Sequence, residues 1–356
     1  MSRAMWTSTR AMWARTLAVC VCVGALAGCG GAATGSGALP GGGEVSDPPA
    51  DLAGLRRDLE ATVLENYALL ELGNIDAFAD RVASDRAIAI FGVEPDDVVA
   101  GVSPASLWED RRLFRGRRLR MLSRNLDIHV SRDRSVGWVF DEMSYRVPHR
   151  GREASIPLRV TSLYTRDVDR WVLAMQHTSY PRSNGDIERA ARAGEQSELG
   201  RFQTGYSVDG PATALRRIVW RVSSGAIGPH YRERRMADSA DALVLLPGPR
   251  QEYLGASVRH APTLAALFGA DGAEATVEIG DHRIEVARNG EVAWMAANLG
   301  ARVPGGDEDA GTVKLRGTFV LEDRPGRGWV VVQSHVSAAT SQDVIAERIF
   351  GVRELD

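Results

Sequence analysis

The side chains best suited by type to move a proton lie in two near-copies. Residues 170–179 read RWVLAMQHTS and residues 328–337 read GWVVVQSHVS, so Trp171, His177 and Ser179 are matched by Trp329, His335 and Ser337, 158 positions on. An imidazole acts as a general acid or base when a carboxylate or a substrate atom lies within hydrogen-bond reach. In the first passage the available groups are Asp127, two residues before His129 on one strand, and Asp141 beside Glu142. The second passage has Arg283 and Glu285 where Asp127 and His129 stand, and Asn298 where Glu142 stands, so no carboxylate base is kept between the copies. The catalytic candidates are therefore His177, Asp127, His129 and Asp141, all in the first passage. Both passages keep Trp, Arg, Thr, His and Ser, a set that speaks for shared architecture or ligand shape.

Other chemistries are less well provided. His282, Glu285 and His335 form a conceivable metal set, but the first passage has no equivalent and Gly280-Asp281-His282 reads as a turn, so no metal site is assigned. No Gly-x-Ser-x-Gly elbow, phosphate loop or dinucleotide fingerprint occurs, and no cofactor is indicated.

The elements that must position these residues follow from periodicity. Leu52, Leu55, Leu59, Val63, Tyr67 and Leu70 recur at steps of three and four, which predicts a long amphipathic helix ending at Gly73-Asn74. A short helix over 75–83, a strand over 86–92, a loop over 92–101 and a helix from Pro104 follow. Four strands come next (120–131, 135–147, 154–167 and 169–180), joined by short polar turns as in an antiparallel meander. The order then repeats: a long helix over 211–226, a short one over 228–237, a strand over 240–248, a helix over 260–269, and strands over 275–290, 291–303, 311–323 and 328–339. Trp138 matches Trp294 156 residues on, and Arg159-x-Thr161 matches Arg316-x-Thr318 157 on. The offset grows by single residues, and each increment can fall in a turn. A period this long is a whole domain duplicated.

On an extended strand alternate residues share a face, so Trp171, Leu173, Met175, His177 and Ser179 are expected on one side, with Trp329, Val331, Gln333, His335 and Ser337 their equivalents. That side is either a pocket wall with polar groups at one end or a sheet face whose last polar residues reach the surface. Val172 and Ala174, with Val330, Val332 and Val336, fall on the other side and suit sheet-against-sheet packing of the two domains.

This order of elements, with Arg159-x-Thr161 on the penultimate strand and Trp171…His177-x-Ser179 on the last, resembles the SnoaL-like branch of the nuclear-transport-factor-2-like superfamily. The second copy supplies Arg316-x-Thr318 and Trp329…His335-x-Ser337. The resemblance covers about 52–182 and 211–340, most of the chain beyond its N-terminal segment. It implies an α+β fold of two tandem cones, each a curved antiparallel sheet wrapped around a long helix with a pocket at one end, packed as an intrachain pseudo-dimer. Members include polyketide cyclases, a ketosteroid isomerase, dehydratases, association domains and non-enzymatic binders, so the fold does not fix the activity. The ligand-pocket candidates are Trp138, Arg159, Thr161, Trp171 and His177, with Trp294, Arg316, Thr318, Trp329 and His335.

The N-terminus is read separately. Residues 1–28 hold Arg3, Arg10 and Arg15, no acidic residue, and the apolar run TLAVCVCVGALAG, which together read as an export signal. Leu26-Ala27-Gly28-Cys29 resembles the lipobox of bacterial lipoproteins, which implies cleavage before Cys29 and acylation of its thiol and amine. Cys20 and Cys22 leave with the signal, so no thiol remains for disulfides, metal or nucleophilic chemistry. Residues 29–51 are a Gly/Pro-rich tether, 183–210 a linker and 341–356 a tail with helical character. The formal charge of −3 names no partner, and Lys314 is the only lysine. The arginine run from Arg111 to Arg120 lacks interleaved aromatics, so no nucleic acid is expected. The expected partners are a bilayer, through acylated Cys29, and a small apolar ligand, in the bacterial envelope and at the outer membrane where one exists. Three functions stay open: a non-catalytic small-molecule-binding or accessory lipoprotein, an isomerase, cyclase or dehydratase acting in the first cone, or a protein-docking component.

Overall fold

The computed structural model describes residues 52–83, 89–100, 120–149, 152–202, 205–206, 211–226, 228–269, 273–304 and 311–351. The signal, Cys29, the tether, the helix expected at Pro104 and the arginines from 111 to 118 lie outside them. Residues 48–356 form one compact unit with a continuous hydrophobic core. Among the described residues no helix is long and apolar enough to cross a membrane.

The first half starts with α1 (Leu52–Glu71), where Leu59, Val63, Tyr67 and Leu70 of the predicted stripe are buried, Leu52 is exposed, and Asn66, outside that stripe, is buried as well. Asn74 caps α2 (Ile75–Ala79) by accepting from the Ala77 N–H at 3.3 Å. The strands are β1 (Ala89–Phe91), β2 (Val98–Ala100), β3 (Arg120–Val130), β4 (Val136–His149), β5 (Arg152–Asp167) and β6 (Arg170–Ser179), in the order β2-β1-β6-β5-β4-β3. The meander β3–β6 is antiparallel as expected, but β1 joins β6 in parallel, so the sheet is mixed. β2, which hairpins back on β1, falls in what reads as a loop.

After α3 (Asn184–Arg192) and β7 (Gly205–Tyr206), the second half repeats the plan with α4 (Ala212–Ser224) and α5 (Pro229–Arg235). Gly225 ends α4 in the left-handed conformation (φ 69°) that glycine adopts without strain. Next come β8 (Leu243–Leu245), β9 (Glu252–Leu254), α6 (Leu264–Leu267), β10 (Thr276–Val286), β11 (Val292–Arg302), β12 (Thr312–Arg324) and β13 (Gly328–Ser337), in sheet order β7-β10-β11-β12-β13-β8-β9. α7 (Gln342–Phe350) closes the described chain. The helix expected over 260–269 is reduced to the single turn α6, preceded by a 3-10 turn over Gly255–His260.

Both closing strands carry a β-bulge at the same place. Met175 pairs with Leu163 but Leu173 with Tyr164, which leaves Ala174 unmatched; Gln333 pairs with Val320 but Val331 with Leu321, which leaves Val332 unmatched. An extra residue reverses the alternation. The single face expected for Trp171, Leu173, Met175, His177 and Ser179 is therefore corrected. Trp171 and Leu173 turn into the cone, where a Cβ on Gly137 would meet both Leu59 and Trp171, while Met175, His177 and Ser179 turn to the outer face. Trp329 and Val331 part from Gln333, His335 and Ser337 in the same way. Val336 pairs with Gly317 on the inner face and is not packing surface for the other domain, whereas Val172 and Val330 share the outer face with the histidines.

The outer faces of the two sheets pack on each other, and the connections cross. α3, which follows the first cone, packs on β12 of the second, and α7, which follows the second, packs on β5 of the first. Arg348 donates to Asp186 at 2.6 Å and joins these two helices. The Arg182 N–H donates to the Pro247 carbonyl at 3.0 Å and the Thr340 N–H to that of Val93 at 2.8 Å, a reciprocal pair.

The second cone is closely packed around Gly317. A Cβ on Gly317 would lie 2.8 Å from both Leu299 Cδ1 and Phe319 Cε2, so only glycine lets these side chains close the interior. Gly317→Ala is expected to lower stability by about 1–3 kcal/mol, measured by urea denaturation. Val160→Ala, at the equivalent position in the first cone, probes whether that interior is packed as tightly.

Candidate functional site

The Arg, Thr, His and Ser residues kept in both copies meet on the approximate two-fold axis. The His177 and His335 rings stack with centroids 3.9 Å apart and planes 18° from parallel. His177 reaches Thr318 Oγ1 through Nδ1 (3.2 Å) and Ser337 Oγ through Nε2 (2.8 Å). His335 reaches Thr161 Oγ1 (3.0 Å) and Ser179 Oγ (2.8 Å) in the same way. Each imidazole is thus held by the hydroxyls of the other domain. Arg159 donates to the carbonyls of Pro247 and Gly248, both at 3.2 Å, and Arg316 to those of Gly92 (3.2 Å), Glu94 (2.6 Å) and Pro95. The sequence-predicted pocket residues Arg159, Thr161, His177, Arg316, Thr318 and His335 therefore form an interdomain seam, buried to 4 % exposure or less, and do not line a cone.

The chemistry of the seam suits neutral rings. A neutral imidazole offers one donor and one acceptor, and a hydroxyl can serve either; carboxylates, which would favour imidazolium, are absent from these contacts. Burial holds both histidines well below their usual range, helped for His177 by Arg316 and Arg159 and for His335 by His177 and Arg159. Burial also lowers the two guanidinium groups to about 10, against the opposing pull of Glu252 and Glu142 on Arg159 and of Asp97 and Asp96 on Arg316.

The remaining candidates are dispersed. His129 Nε2 lies 2.9 Å from Asp127 Oδ2, a hydrogen bond that holds Asp127 below its ordinary value, and His129 stacks on Trp138 at 6.0 Å. Both share the outer face with Trp138, whose indole N–H reaches the Asp241 carbonyl at 3.5 Å. Trp294, its counterpart, lines an interdomain cleft of about 770 Å³ with Val172 and Val286. Trp171 packs inside its cone and Trp329 is half-buried at the equivalent place. Glu285 pairs with Arg283 at 2.8 Å, and His282 Nδ1 with the Gly280 carbonyl at 2.8 Å, so neither joins His335.

Asp141 stands apart from Asp127, His129 and His177, inside the first cone. It is fully buried on the inner face of β4, and neither carboxylate oxygen makes a hydrogen bond of ordinary geometry. Burial raises its carboxyl pKa against the pull of the Ser123 hydroxyl and of the Arg124 and Asn125 N–H groups, which a bulge in β3 presents. Tyr67 of α1 faces it, and burial, followed by the Asp141 charge, pushes this phenol well above its usual range. Asn66 donates to the Tyr164 hydroxyl at 3.4 Å, and burial raises Tyr164 to about 12. Asn66 Oδ1, the Tyr67 hydroxyl, both Asp141 oxygens and Gln176 Oε1 are buried without a hydrogen bond of ordinary geometry, although Tyr67 and Asp141 face each other. Buried polar atoms ordinarily have partners in protein, water or ligand. The equivalent positions of the second cone hold Val222, Ser223, Ala297, Leu321 and Ser334, none with an unpartnered atom.

Sequence reading names Asp141 but misses Asn66, Tyr67, Tyr164 and Gln176. The available signal is Asn66-Tyr67 on the buried stripe of α1, where the second copy has Val222-Ser223.

Two cones of mixed sheet and long helix, joined through their outer faces, define the nuclear-transport-factor-2-like α+β class. The SnoaL-like domain family matches residues 59–183 and 261–341, more than half of the chain, and the chain belongs to it. No curated protein matches in sequence. Among solved structures, an NTF2-like protein with a cystatin-like fold from Novosphingobium aromaticivorans is 12% identical, covers 36% of this chain and 83% of its own, and has a TM-score of 0.33. A domain from Xanthomonas campestris assigned to the calcium/calmodulin-dependent protein kinase II association type is 17% identical over 35% of this chain and 86% of its own, with a TM-score of 0.30. ActVI-ORFA from Streptomyces coelicolor is 13% identical over 35% and 97%, with a TM-score of 0.31.

The neutral histidine pair makes stability depend on pH. Because the folded pKa values lie below the unfolded value of about 6.5, the unfolded chain binds protons that the folded one refuses as pH drops. Stability is therefore full above that value and is expected to fall below it, by up to about 1.4 kcal/mol per pH unit for each histidine. Urea midpoints between pH 8 and 5 measure this. His177→Ala is expected to cost about 3 kcal/mol through the cavity and the orphaned Thr318 and Ser337 hydroxyls. Adding His335→Ala should cost less than a second such loss, because the rings are in contact.

Proposed function

We propose that the chain is a membrane-anchored lipoprotein that binds a small molecule in its first cone, with the second cone as its built-in structural partner. The observation that carries this reading is the set of buried polar atoms on Asn66, Tyr67, Asp141 and Gln176 that make no hydrogen bond of ordinary geometry, a set with no counterpart among the described residues of the second cone. A ligand with a carbonyl or hydroxyl among apolar carbons would meet the phenol and the carboxyl while its body packs against the cone's buried Ile156, Leu158 and Val160. Anchoring rests on Cys29 at the end of the apolar signal run, in the cell envelope.

Native mass spectrometry of the detergent-extracted protein tests both parts. The expected result is an acyl mass lost in Cys29→Ser and a co-purifying small molecule lost in Tyr67→Phe/Asp141→Asn. That variant should be at least as stable as the parent, because the raised Asp141 pKa marks a charge the fold disfavours. A large destabilisation with no ligand in either protein would assign the pair to structure instead.

A second reading, an isomerase, cyclase or dehydratase acting in the first cone, draws on the same pair. A carboxyl with a raised pKa beside a phenol can exchange a proton with a substrate oxygen or an adjacent carbon. Turnover of a cyclic ketone that drops about 100-fold or more in Asp141→Asn with KM little changed would favour it.

A further inference from the structure

The equivalent helix pairs of the two halves differ in sign of charge. α1 and α2 carry Asp58, Glu60, Glu65, Glu71 and Asp76 against Arg56 and Arg57. α4 and α5 carry Arg216, Arg217, Arg221, Arg232, Arg234 and Arg235 against Glu233 alone. Two of these arginines are engaged by backbone, Arg232 by the Ala261 carbonyl and Arg235 by those of Arg327 (2.9 Å) and Trp329 (3.1 Å), and Arg221 lies over the Tyr231 ring at 5.2 Å. Arg216, Arg217 and Arg234 are exposed and, among the described residues, have no ion-pair partner. Arg216, Arg217 and Arg221 rim a shallow pocket of about 290 Å³ with Thr213 and Trp220, enough room for a phosphate group. Trp220 is 37 % exposed, and its N–H already donates to the Val277 carbonyl at 2.9 Å, so what it offers solvent is chiefly apolar ring.

Unpaired arginines around a partly exposed tryptophan match the requirements of a phospholipid interface, where cations meet phosphates and indole rings sit among headgroups. We propose that the α4–α5 face docks on an anionic phospholipid surface, with Arg216, Arg217 and Arg234 taking phosphates and Trp220 entering the headgroup layer. The opposite charge on α1–α2 would turn the first half away from the same surface. This contact is separate from the anchor at Cys29, and a protein lacking the anchor tests it alone.

Residues 48–356, a compact unit with its own core, would be sedimented with phosphatidylcholine vesicles with and without phosphatidylglycerol. Binding is expected only with phosphatidylglycerol, and is expected to be lost at high salt. Arg216→Glu/Arg217→Glu/Arg234→Glu should weaken it by about fivefold or more per arginine, and Trp220→Ala should weaken it with the circular dichroism spectrum unchanged. Equal sedimentation with neutral vesicles would overturn the proposal, as would unchanged binding by the folded triple variant. Release by millimolar inorganic phosphate at constant ionic strength would also overturn it, since that result indicates a phosphate pocket in place of a surface.

Discussion

The structure depends on burying the outer faces of two sheets that each carry histidine, threonine, serine and arginine. A buried polar group without a partner costs about 1–3 kcal/mol, so neither face can be covered by plain apolar packing. What covers each is the other. The hydroxyls beside His177 belong to the second half and those beside His335 to the first, and the two rings fill the space between. Arg159 and Arg316 complete the exchange by bonding loop carbonyls across the seam. Because the contact is self-complementary about a two-fold axis, every residue in it is required twice.

That requirement accounts for what the copies share and what they do not. The motif residues Arg-x-Thr and His-x-Ser sit on the seam, where a change in one half leaves a group of the other half unpaired. The inner faces carry no such coupling. There Asp141, Tyr145 and Tyr164 stand against Ala297, Ala301 and Leu321, and Ser162 stands against Phe319. The repeated Arg-x-Thr and His-x-Ser motifs therefore mark the joint between the domains, and the departures from the repeat mark the candidate site.

The fold was largely legible because it is written in periodicity. The long helices, all eight meander strands and the duplication follow from apolar spacing and matched offsets. The short strands β2, β7 and β9 were not legible, since two or three residues carry no period. Which way His177 points was also hidden. One unmatched residue, Ala174, reverses the alternation that the sequence implies for Trp171 through Ser179, and nothing in the residue types marks it. That reversal moves the histidines from a supposed pocket wall to the seam. Asp141 was legible as an acid, but its neighbours Asn66 and Tyr67 come from a helix more than seventy residues earlier and are brought to it only by the wrapping of the sheet.

Joining both halves in one chain changes what each can become. In a dimer of identical subunits, a substitution that fills one cone fills the other, so packing density and an open polar interior compete within a single sequence. In a tandem chain they need not. The second cone packs Leu299, Phe319 and Leu321 into its interior, and such burial contributes about 1.5–3 kcal/mol per large side chain. The first cone retains a fully buried carboxylate facing a phenol, neither with a hydrogen bond of ordinary geometry, features that reduce stability where they occur. The seam connects the two thermodynamically, since separating the outer faces gives up the hydrogen bonds each half supplies to the other and exposes the apolar surface of Val172, Val330 and their neighbours to water. The more apolar cone can thus hold the polar one folded, and the same freedom lets the two helix surfaces diverge in charge without disturbing the joint.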